Sequence, residues 1–315
     1  MDAFLTMLSS VALFIALALP GYLFVKCKFL KSEQSGVLST LLTYLGLPFL
    51  ILSSTLDIEL NAEFAKNALL CCLVSVLFIF AVFFLSKPWT AGLAEKDKRG
   101  MERFCITFAN NGFLGIPLAR AVFGEGLALT YLIVINILDS VARYTAGVYL
   151  ISGDKKMISP KKVLLSPALL AFALGIVLNL TNACAFMPQI RTYSESLSNM
   201  VTPLCMTILG MKLGGVKLLD LFKRKRTYYV AAIKLVAVPV FASLVFWGAC
   251  TLFHMGTEPV FAALIAFGTP TAALSSAFAD QFGGDMEGAV TNTLGTTVLC
   301  VVTLPVLYML LSLLI

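Results

Sequence analysis

The sequence predicts an all-α membrane protein of ten transmembrane helices, arranged as two inverted repeats of five. The 315 residues are 59% hydrophobic, with a mean hydropathy of +0.93, whereas about 45–50% apolar residues is usual in soluble domains. Charged residues make up only 13% of the chain and lie in short clusters between apolar runs of about 20 residues, the length that crosses a bilayer. Glycine and proline interrupt two of these runs at corresponding places in the two halves, which predicts an internal repeat.

Ten apolar runs are long enough to be numbered as spans one to ten. They cover residues 4–25, 36–56, 65–86, 100–123, 127–151, 163–183, 192–214, 228–253, 258–282 and 288–314. Asp2 rather than a basic segment precedes the first run, so we expect this run to stay as span one and not to be a cleaved signal peptide. The composition excludes an ordinary soluble protein. The net charge of +6 lies in the loops, where it indicates orientation and anionic lipid and not nucleic acid.

Lysine and arginine are concentrated in every second loop. The loop after span one holds Lys26, Lys28 and Lys31, and the loops after spans three, five and seven are also basic, whereas the loops between them hold few such residues. Basic loops face the cytoplasm. We therefore expect a multi-pass protein of the cytoplasmic (plasma) membrane, surrounded by the lipid bilayer, with both termini outside.

The two halves carry prolines at matching positions. Pro48 and Pro203 are 155 residues apart, and Pro117 and Pro270 are 153 residues apart. Each half holds five spans, an odd number, so the second half enters the membrane from the opposite side. We predict a first repeat over residues 1–157 and a second, inverted repeat over residues 158–315, although two proline pairs alone are also compatible with chance.

The two interrupted stretches, in spans four and nine, are the predicted working centre. An interior proline costs a helix roughly 3 kcal/mol, and lipid tolerates the freed backbone groups only where they face protein or a water-filled cavity. A pair of interrupted spans in corresponding positions points to the midplane binding site of a transporter. The residues expected to bind substrate there are Asn110, Asn111, Gly112, Pro117, Thr269, Pro270 and Thr271.

We expect each interrupted span to resume as a half-helix at its proline. The first half-helix would begin near Pro117 and the second at Pro270, with Thr269 as its N-cap. Both N-termini would then lie at the midplane, where unpaired N–H groups and partial positive charge favour a carboxylate. The amides of Asn110 and Asn111 either add donors to this site or only satisfy the interrupted backbone.

Charged residues within the spans are costly and are usually paired or functional. Asp139 and Arg143 lie four residues apart in span five, on one helix face near Asn136. They form either a self-neutralised structural pair or a site where Asp139 takes up a proton or helps to hold a cation, with Arg143 completing the substrate path. We expect Lys234 and Lys212 to extend to the inner membrane surface.

Other polar residues of the spans have two interpretations each. Arg120 either lines an outer vestibule or reaches the outer interface, and His254 is expected at that interface. Polar residues of spans two and ten either complete the pocket or bridge helices. They are Thr40, Thr43, Tyr44, Thr291, Asn292, Thr293, Thr296 and Thr297. The eight cysteines show no CxxC spacing and are expected to be small core residues.

Several stretches of the chain together resemble the auxin efflux carrier family. They are residues 110–117 (NNGFLGIP) with 122–124 (VFG), 20–22 (PGY) with Lys28, 47–48 (LP), 203–204 (PL) with 209–210 (LG), and 270–285. The resemblance runs nearly end to end, and its first motif is fairly specific. It implies two inverted bundles in which spans four and nine cross at the centre. It further implies a scaffold bundle of spans one, two, six and seven, a transport bundle of the other spans, and a homodimer.

Members of that family move organic anions such as auxin or malate. This chain lacks the long central loop of the longer plant members, so it looks more like the short bacterial, malate permease-like type, which weakens auxin as the substrate. The resemblance implies a secondary-active carrier of a small mono- or dicarboxylate that works by alternating access. The coupling ion, H⁺ or Na⁺, stays open.

Other function classes are less well supported by the sequence. The motifs HExxH, GxSxG and GxxxxGK[ST] are absent, so we expect no enzyme, no cofactor, no metal site and no nucleic-acid partner. An anion channel is an alternative, because broken helices also line pores. A sodium-coupled organic-anion symporter of the bile-acid type is another, and a sodium requirement for uptake would reveal it.

Overall fold

The protein is built from helices joined by turns and short loops. The structure, a computed structural model, describes residues 2–56, 58–159, 161, 165–217 and 223–315. The predicted start of span six at Val163 lies outside these residues. The helices are α1 (Asp2–Lys26), α2 (Ser32–Leu56), α3 (Ala62–Trp89), α4 (Lys96–Thr107), α5 (111–123), α6 (Leu127–Ser152), α7 (Pro167–Leu180), α8 (Ala183–Phe186), α9 (Gln189–Ser198), α10 (Val201–Gly214), α11 (Lys225–Phe253), α12 (Glu258–Gly268), α13 (Ser275–Phe282) and α14 (Met286–Leu314).

Six helices within the described ranges are long and apolar enough to cross a membrane, namely α1, α2, α3, α6, α11 and α14. They correspond to predicted spans one, two, three, five, eight and ten. Helices α7 and α12 are apolar but shorter. Because an α-helix rises about 1.5 Å per residue, the 14 residues of α7 do not reach across a hydrocarbon core of about 30 Å.

The remaining predicted spans are each divided between two helices. Span four is α4 followed by α5, and span nine is α12 followed by α13, as their interruptions predicted. Span seven was expected to be continuous, but it consists of the polar helix α9 and the apolar helix α10, joined by a turn at Asn199 and Met200. Pro203 lies in the first turn of α10, where its missing N–H leaves no helical hydrogen bond unmade.

Four of the helices contain a π-helical turn. These turns are Leu42–Gly46 in α2, Asn111–Gly115 in α5, Arg143–Gly147 in α6 and Ile233–Ala237 in α11. Three of them end two residues before a proline, which is Pro48, Pro117 or Pro239. A π turn inserts one residue into the helix, which relieves the clash between a proline ring and the preceding turn. These prolines therefore lie inside continuous helices instead of ending them.

The helices pack as two groups. Helix α1 lies along α10, and the second half of α2 packs against α7 and α9. In the other group, α12 lies between α6 and α11, and α3 packs against α6. Helix α14 contacts both groups through α1 and α11. Large apolar side chains on one face of α3 point outward, which is the pattern of a helix in contact with lipid; they are Leu69, Leu73, Leu77, Phe80 and Phe84.

The contact between α1 and α10 depends on glycine. A Cβ added to Gly210 would lie 1.9 Å from the carbonyl oxygen of Ala18, and one added to Gly21 would lie 2.1 Å from the carbonyl oxygen of Thr207. Small residues allow helix backbones to approach closely in membranes. This close approach makes α1 and α10 one rigid pair.

We expect Gly210→Ala to destabilise the protein, because the added methyl meets backbone and forces α1 and α10 apart. Overpacking of this kind costs about 1–3 kcal/mol, so the thermal unfolding midpoint of the detergent-solubilised protein should fall by several degrees. The matched control is Gly248→Ala in α11, where an added Cβ has no atom within 4 Å. Equal midpoints for the two variants would contradict the backbone contact.

Candidate functional site

The interruptions of the two broken helix pairs meet and pair with each other through the backbone. The N–H of Asn110 donates to the carbonyl oxygen of Pro270 at 2.8 Å, and the N–H of Ala272 donates to that of Phe108 at 3.1 Å. Ala109 and Thr271 form the antiparallel bridge between these hydrogen bonds. Each interruption therefore satisfies backbone groups that the other exposes, as buried backbone requires.

Two threonines of the second interruption hold it in place. The hydroxyl of Thr271 donates to the carbonyl oxygen of Cys105 at 3.0 Å, and its N–H donates to the hydroxyl of Thr296 at 3.1 Å. The hydroxyl of Thr269 donates to the carbonyl oxygen of Ala266 at 3.1 Å. Both side chains are buried and directed at backbone, so the structure places them behind the candidate site and not at its surface.

The predicted starts of the two half-helices are wrong. Thr269 is the C-cap of α12 and not an N-cap, Pro270 lies in the extended bridge, and α13 begins only at Ser275. Helix α5 begins at Asn111, six residues before Pro117, because the π turn accommodates the proline. Local capping preferences were overridden by the backbone pairing between the two interruptions.

A cavity of about 90 Å³ lies beside this pairing, large enough for several water molecules or a small polar solute. Asn110 lines it from the first interruption and Gly112 from the start of α5, and Ala273 and Leu274 line it from the second interruption. The absence of a side chain at Gly112 leaves room for Asn136, since an added Cβ would lie 3.2 Å from the Asn136 Oδ1 atom. The other polar lining residues are Thr43, Ser140, Arg143, Tyr144 and Ser166.

Arg143 is the one charged residue that lines this cavity within the described part of the chain. It forms an ion pair with Asp139, which is entirely buried. Its guanidinium also donates to the carbonyl oxygen of Ala109 at 3.2 Å and to the Asn111 Oδ1 atom at 3.5 Å. The first interruption and the ion pair of α6 are thus one hydrogen-bonded unit.

This unit leaves several polar atoms unsatisfied. Within the described residues, the Asn111 Nδ2, Asp139 Oδ1 and Arg143 Nε atoms have no partner in hydrogen-bonding geometry, although the Asn111 amide lies near enough to the Asp139 carboxylate to interact with it. Buried polar groups are normally paired. These atoms, next to the cavity, could therefore form further hydrogen bonds.

The two lysines expected to reach the inner surface do not. Lys234 is 0% exposed, and its ammonium has no hydrogen-bond partner among the described residues. The charges of Asp139 and Arg143 both act on it. Helix α11 begins at Lys225, so Lys234 lies about 13 Å along it, too deep for its side chain to reach water. Lys212 instead donates to the carbonyl oxygen of Ala273, at 3.3 Å, in the second interruption.

A smaller cavity of about 30 Å³ lies on another side of Asn110. Lys212 from α10 and Thr293 and Thr297 from α14 line it together with Ala273. Asn110 and Ala273 line both cavities. The paired interruptions therefore lie between two small cavities, one beside Arg143 and one beside Lys212.

Other predicted residues lie away from this centre. Arg120 forms an ion pair with Glu125 at 2.5 Å and donates to the Ser198 hydroxyl at 2.6 Å, so it links α5 to α9. Asn292 lines a different cavity, which also contains the Glu102–Arg226 ion pair.

Three more residues of the predicted set are accounted for by local structure. Tyr44 is 69% exposed, Thr40 is exposed and donates to the carbonyl oxygen of Gly36 within its own helix, and His254 ends α11 with a left-handed conformation.

In the described ranges, no group of three His, Cys, Asp or Glu residues is placed to hold a metal ion.

Sequence reasoning missed Ser140, Tyr144 and Ser166 as lining residues. Ser140 and Tyr144 follow Asn136 at intervals of four residues, which places them on one face of α6. Ser166 is the N-cap of α7, and nothing in the sequence indicates that α7 ends at this cavity.

We expect removal of the Asp139 charge to destabilise the protein more than removal of the Arg143 charge. Asp139→Asn leaves Arg143 and Lys234 without a buried counter-charge, whereas Arg143→Gln leaves Asp139 facing Lys234. Breaking a buried pair costs about 3–5 kcal/mol. A double-mutant cycle on thermal unfolding should give a double variant less destabilised than the sum of the two single variants.

The control for this cycle is the exposed pair Glu95 and Lys98, for which the same neutral substitutions should cost less than about 1 kcal/mol. Strict additivity at Asp139 and Arg143 would contradict a direct pairing of their charges.

Comparison with known protein families matches residues 6–308 to the family described as membrane transport protein. None of the curated proteins compared with the chain matches it. The family match covers nearly the whole chain and confirms the resemblance carried by the stretches around the two interruptions. The chain therefore belongs to the membrane transport proteins of the auxin efflux carrier family and is a multi-pass membrane transporter.

Proposed function

We propose that the protein is a secondary-active carrier that moves a small organic anion, a mono- or dicarboxylate such as malate, by alternating access. The substrate binds in the cavity beside the paired interruptions, between Asn110 and Arg143. The observation that carries this proposal is Arg143: a guanidinium that lines the cavity, surrounded by amide and hydroxyl side chains. Guanidinium and amide donors suit a carboxylate, which only accepts hydrogen bonds.

The charge balance behind the cavity supports an anion. Asp139 offsets one positive charge, and the buried cluster also holds Arg143 and Lys234. With all three groups ionised, this cluster carries a net charge of +1. An uncompensated charge inside a membrane protein is costly, so one carboxylate group of a bound anion completes the balance.

The location of the cavity supports alternating access. Thr43, Leu47 and Ser166 line it from α2 and the start of α7, while Asn110 lines it from the first interruption and Arg143 from α6. The cavity thus lies where the two packing groups of helices meet. Movement of one group along the other changes which side of the cavity is open, as in transporters with a midplane site between rigid units.

The second cavity, beside Lys212, supports the inverted repeat. Predicted spans seven and ten line it, and the corresponding spans of the first half, two and five, line the first cavity together with the start of α7. We propose ten spans, with α4–α5 and α12–α13 crossing at the paired interruptions and both termini outside the plasma membrane. The homodimer and the coupling ion, H⁺ or Na⁺, remain predictions.

We expect purified protein on a solid-supported membrane to give a saturable current after a concentration jump of malate or another small carboxylate. Asn110→Ala should raise the half-saturating concentration by roughly 10- to 100-fold, because a hydrogen bond to a charged group contributes about 1.5–3 kcal/mol. The matched control is Asn199→Ala, at an exposed helix end, which should behave as wild type. Runs with and without Na⁺, and at several pH values, test the coupling ion.

Electroneutral transport gives no current, so uptake of labelled carboxylate into proteoliposomes is measured in parallel. Absence of both signals would exclude the organic-anion proposal and favour a channel or a carrier for cations. Equal effects of the two asparagine substitutions would place the binding site elsewhere.

Lys234→Met tests the charge balance in a second way. Removing a buried charge that has no hydrogen-bond partner should raise the thermal unfolding midpoint, while the loss of net positive charge should weaken carboxylate binding. Stability and affinity are therefore expected to change in opposite directions. A variant that is less stable, or that binds the carboxylate as tightly as wild type, would contradict this role of Lys234.

A further inference from the structure

Another cavity, of about 240 Å³, lies where α4 begins and α6 ends, and none of the residues of the paired interruptions lines it. Its charged lining residues are Lys96, Arg99 and Arg103, and within the described ranges no carboxylate lines it. Tyr149 from α6 lies at its edge and is exposed. We propose that this cavity binds the phosphate group of an anionic phospholipid at the cytoplasmic membrane surface.

The helix positions bring the three cations together. Lys96, Arg99 and Arg103 recur at intervals of three and four residues, so they share one face of α4. Gly100 on the same helix lets α4 approach the end of α6, since an added Cβ would lie 2.2 Å from the carbonyl oxygen of Leu150. The cavity is therefore a cleft between two helices whose backbones approach closely at Gly100.

Neutral groups hold the two guanidiniums in place. Arg103 donates from Nε to the Ser86 hydroxyl at 3.0 Å and from Nη2 to the carbonyl oxygen of Phe83 at 2.9 Å, and it lies over the Phe83 ring. Arg99 donates from Nε to the carbonyl oxygen of Leu93 at 2.9 Å. A guanidinium has five N–H donors, so both arginines keep donors and their full positive charge for a ligand.

The surroundings distinguish a phospholipid from a soluble anion. Arg103 is anchored to the end of α3, whose outward face carries the exposed rings of Phe80 and Phe84. Acyl chains of a lipid bound at the cavity would lie along these rings. The loop between α3 and α4 is one of the basic loops that face the cytoplasm by the positive-inside rule, and anionic headgroups attract such cations.

The test is thermal unfolding of detergent-solubilised protein titrated with phosphatidylglycerol, phosphatidylcholine or inorganic phosphate. The test variant is Lys96→Gln with Arg99→Gln. The control variant is Lys155→Gln with Lys156→Gln, which removes two exposed cations outside the cavity. Phosphatidylglycerol should raise the midpoint of wild type and control by several degrees. The test variant should require roughly 30-fold more lipid, from the contribution of two cations near an anionic headgroup.

Phosphatidylcholine should have little effect, because its headgroup carries no net charge. Should the double variant fold poorly, Lys96→Gln alone, at an exposed residue, provides the same comparison with a smaller expected change. An equal response of test and control variants, or no response of wild type to phosphatidylglycerol, would overturn the proposal. Stabilisation by inorganic phosphate but not by phosphatidylglycerol would show that the cavity binds a soluble phosphate, and this would also overturn the proposal of a phospholipid site.

Discussion

The hydrogen bonds that join the two interruptions are the constraint on which the rest of the structure depends. A helix that stops inside a membrane exposes backbone groups that lipid cannot satisfy. Here Asn110 pairs with Pro270, and Ala272 pairs with Phe108, so each interruption satisfies backbone groups that the other exposes. The two interruptions, one from each half of the chain, thus meet at a shared centre.

This constraint also places the polar side chains. Because backbone pairing uses the extended residues, the threonines beside them turn toward the backbone, and the space beside Asn110 is left to side chains from α2, α6 and α7. Arg143 reaches that space and also bonds to the carbonyl oxygen of Ala109. Arg143 of α6 is thereby hydrogen-bonded to the interruption between α4 and α5. Displacement of α6 would therefore also disturb that interruption.

The apolar runs and their basic loops were sufficient to predict the long helices, because the length and hydrophobicity of a segment decide whether it can cross a bilayer. The positions of the interruptions also followed from local chemistry, since Asn110, Gly112 and Pro270 lie in or next to them and disfavour a continuous α-helix. The starts of the following helices could not be predicted in this way. Thr269 before Pro270 favours an N-cap, but the backbone pairing between the two interruptions makes Thr269 the C-cap of α12. The depth of Lys234 depends on where α11 begins, and the contribution of Ser166 depends on how α7 packs, neither of which a local pattern contains.

Three of the four π-helical turns precede a proline, which keeps the extra residue in place because an ordinary α-helical turn would clash with the ring. The turn at Arg143–Gly147 has no such proline. Its return to regular α-helix would rotate one end of α6 against the other by about 100° without breaking the helix. Helix α6, which carries Arg143, is thus the helix in which no proline holds the π-helical turn in place. Loss of that turn would move the guanidinium around the helix axis without separating the two packed groups of helices.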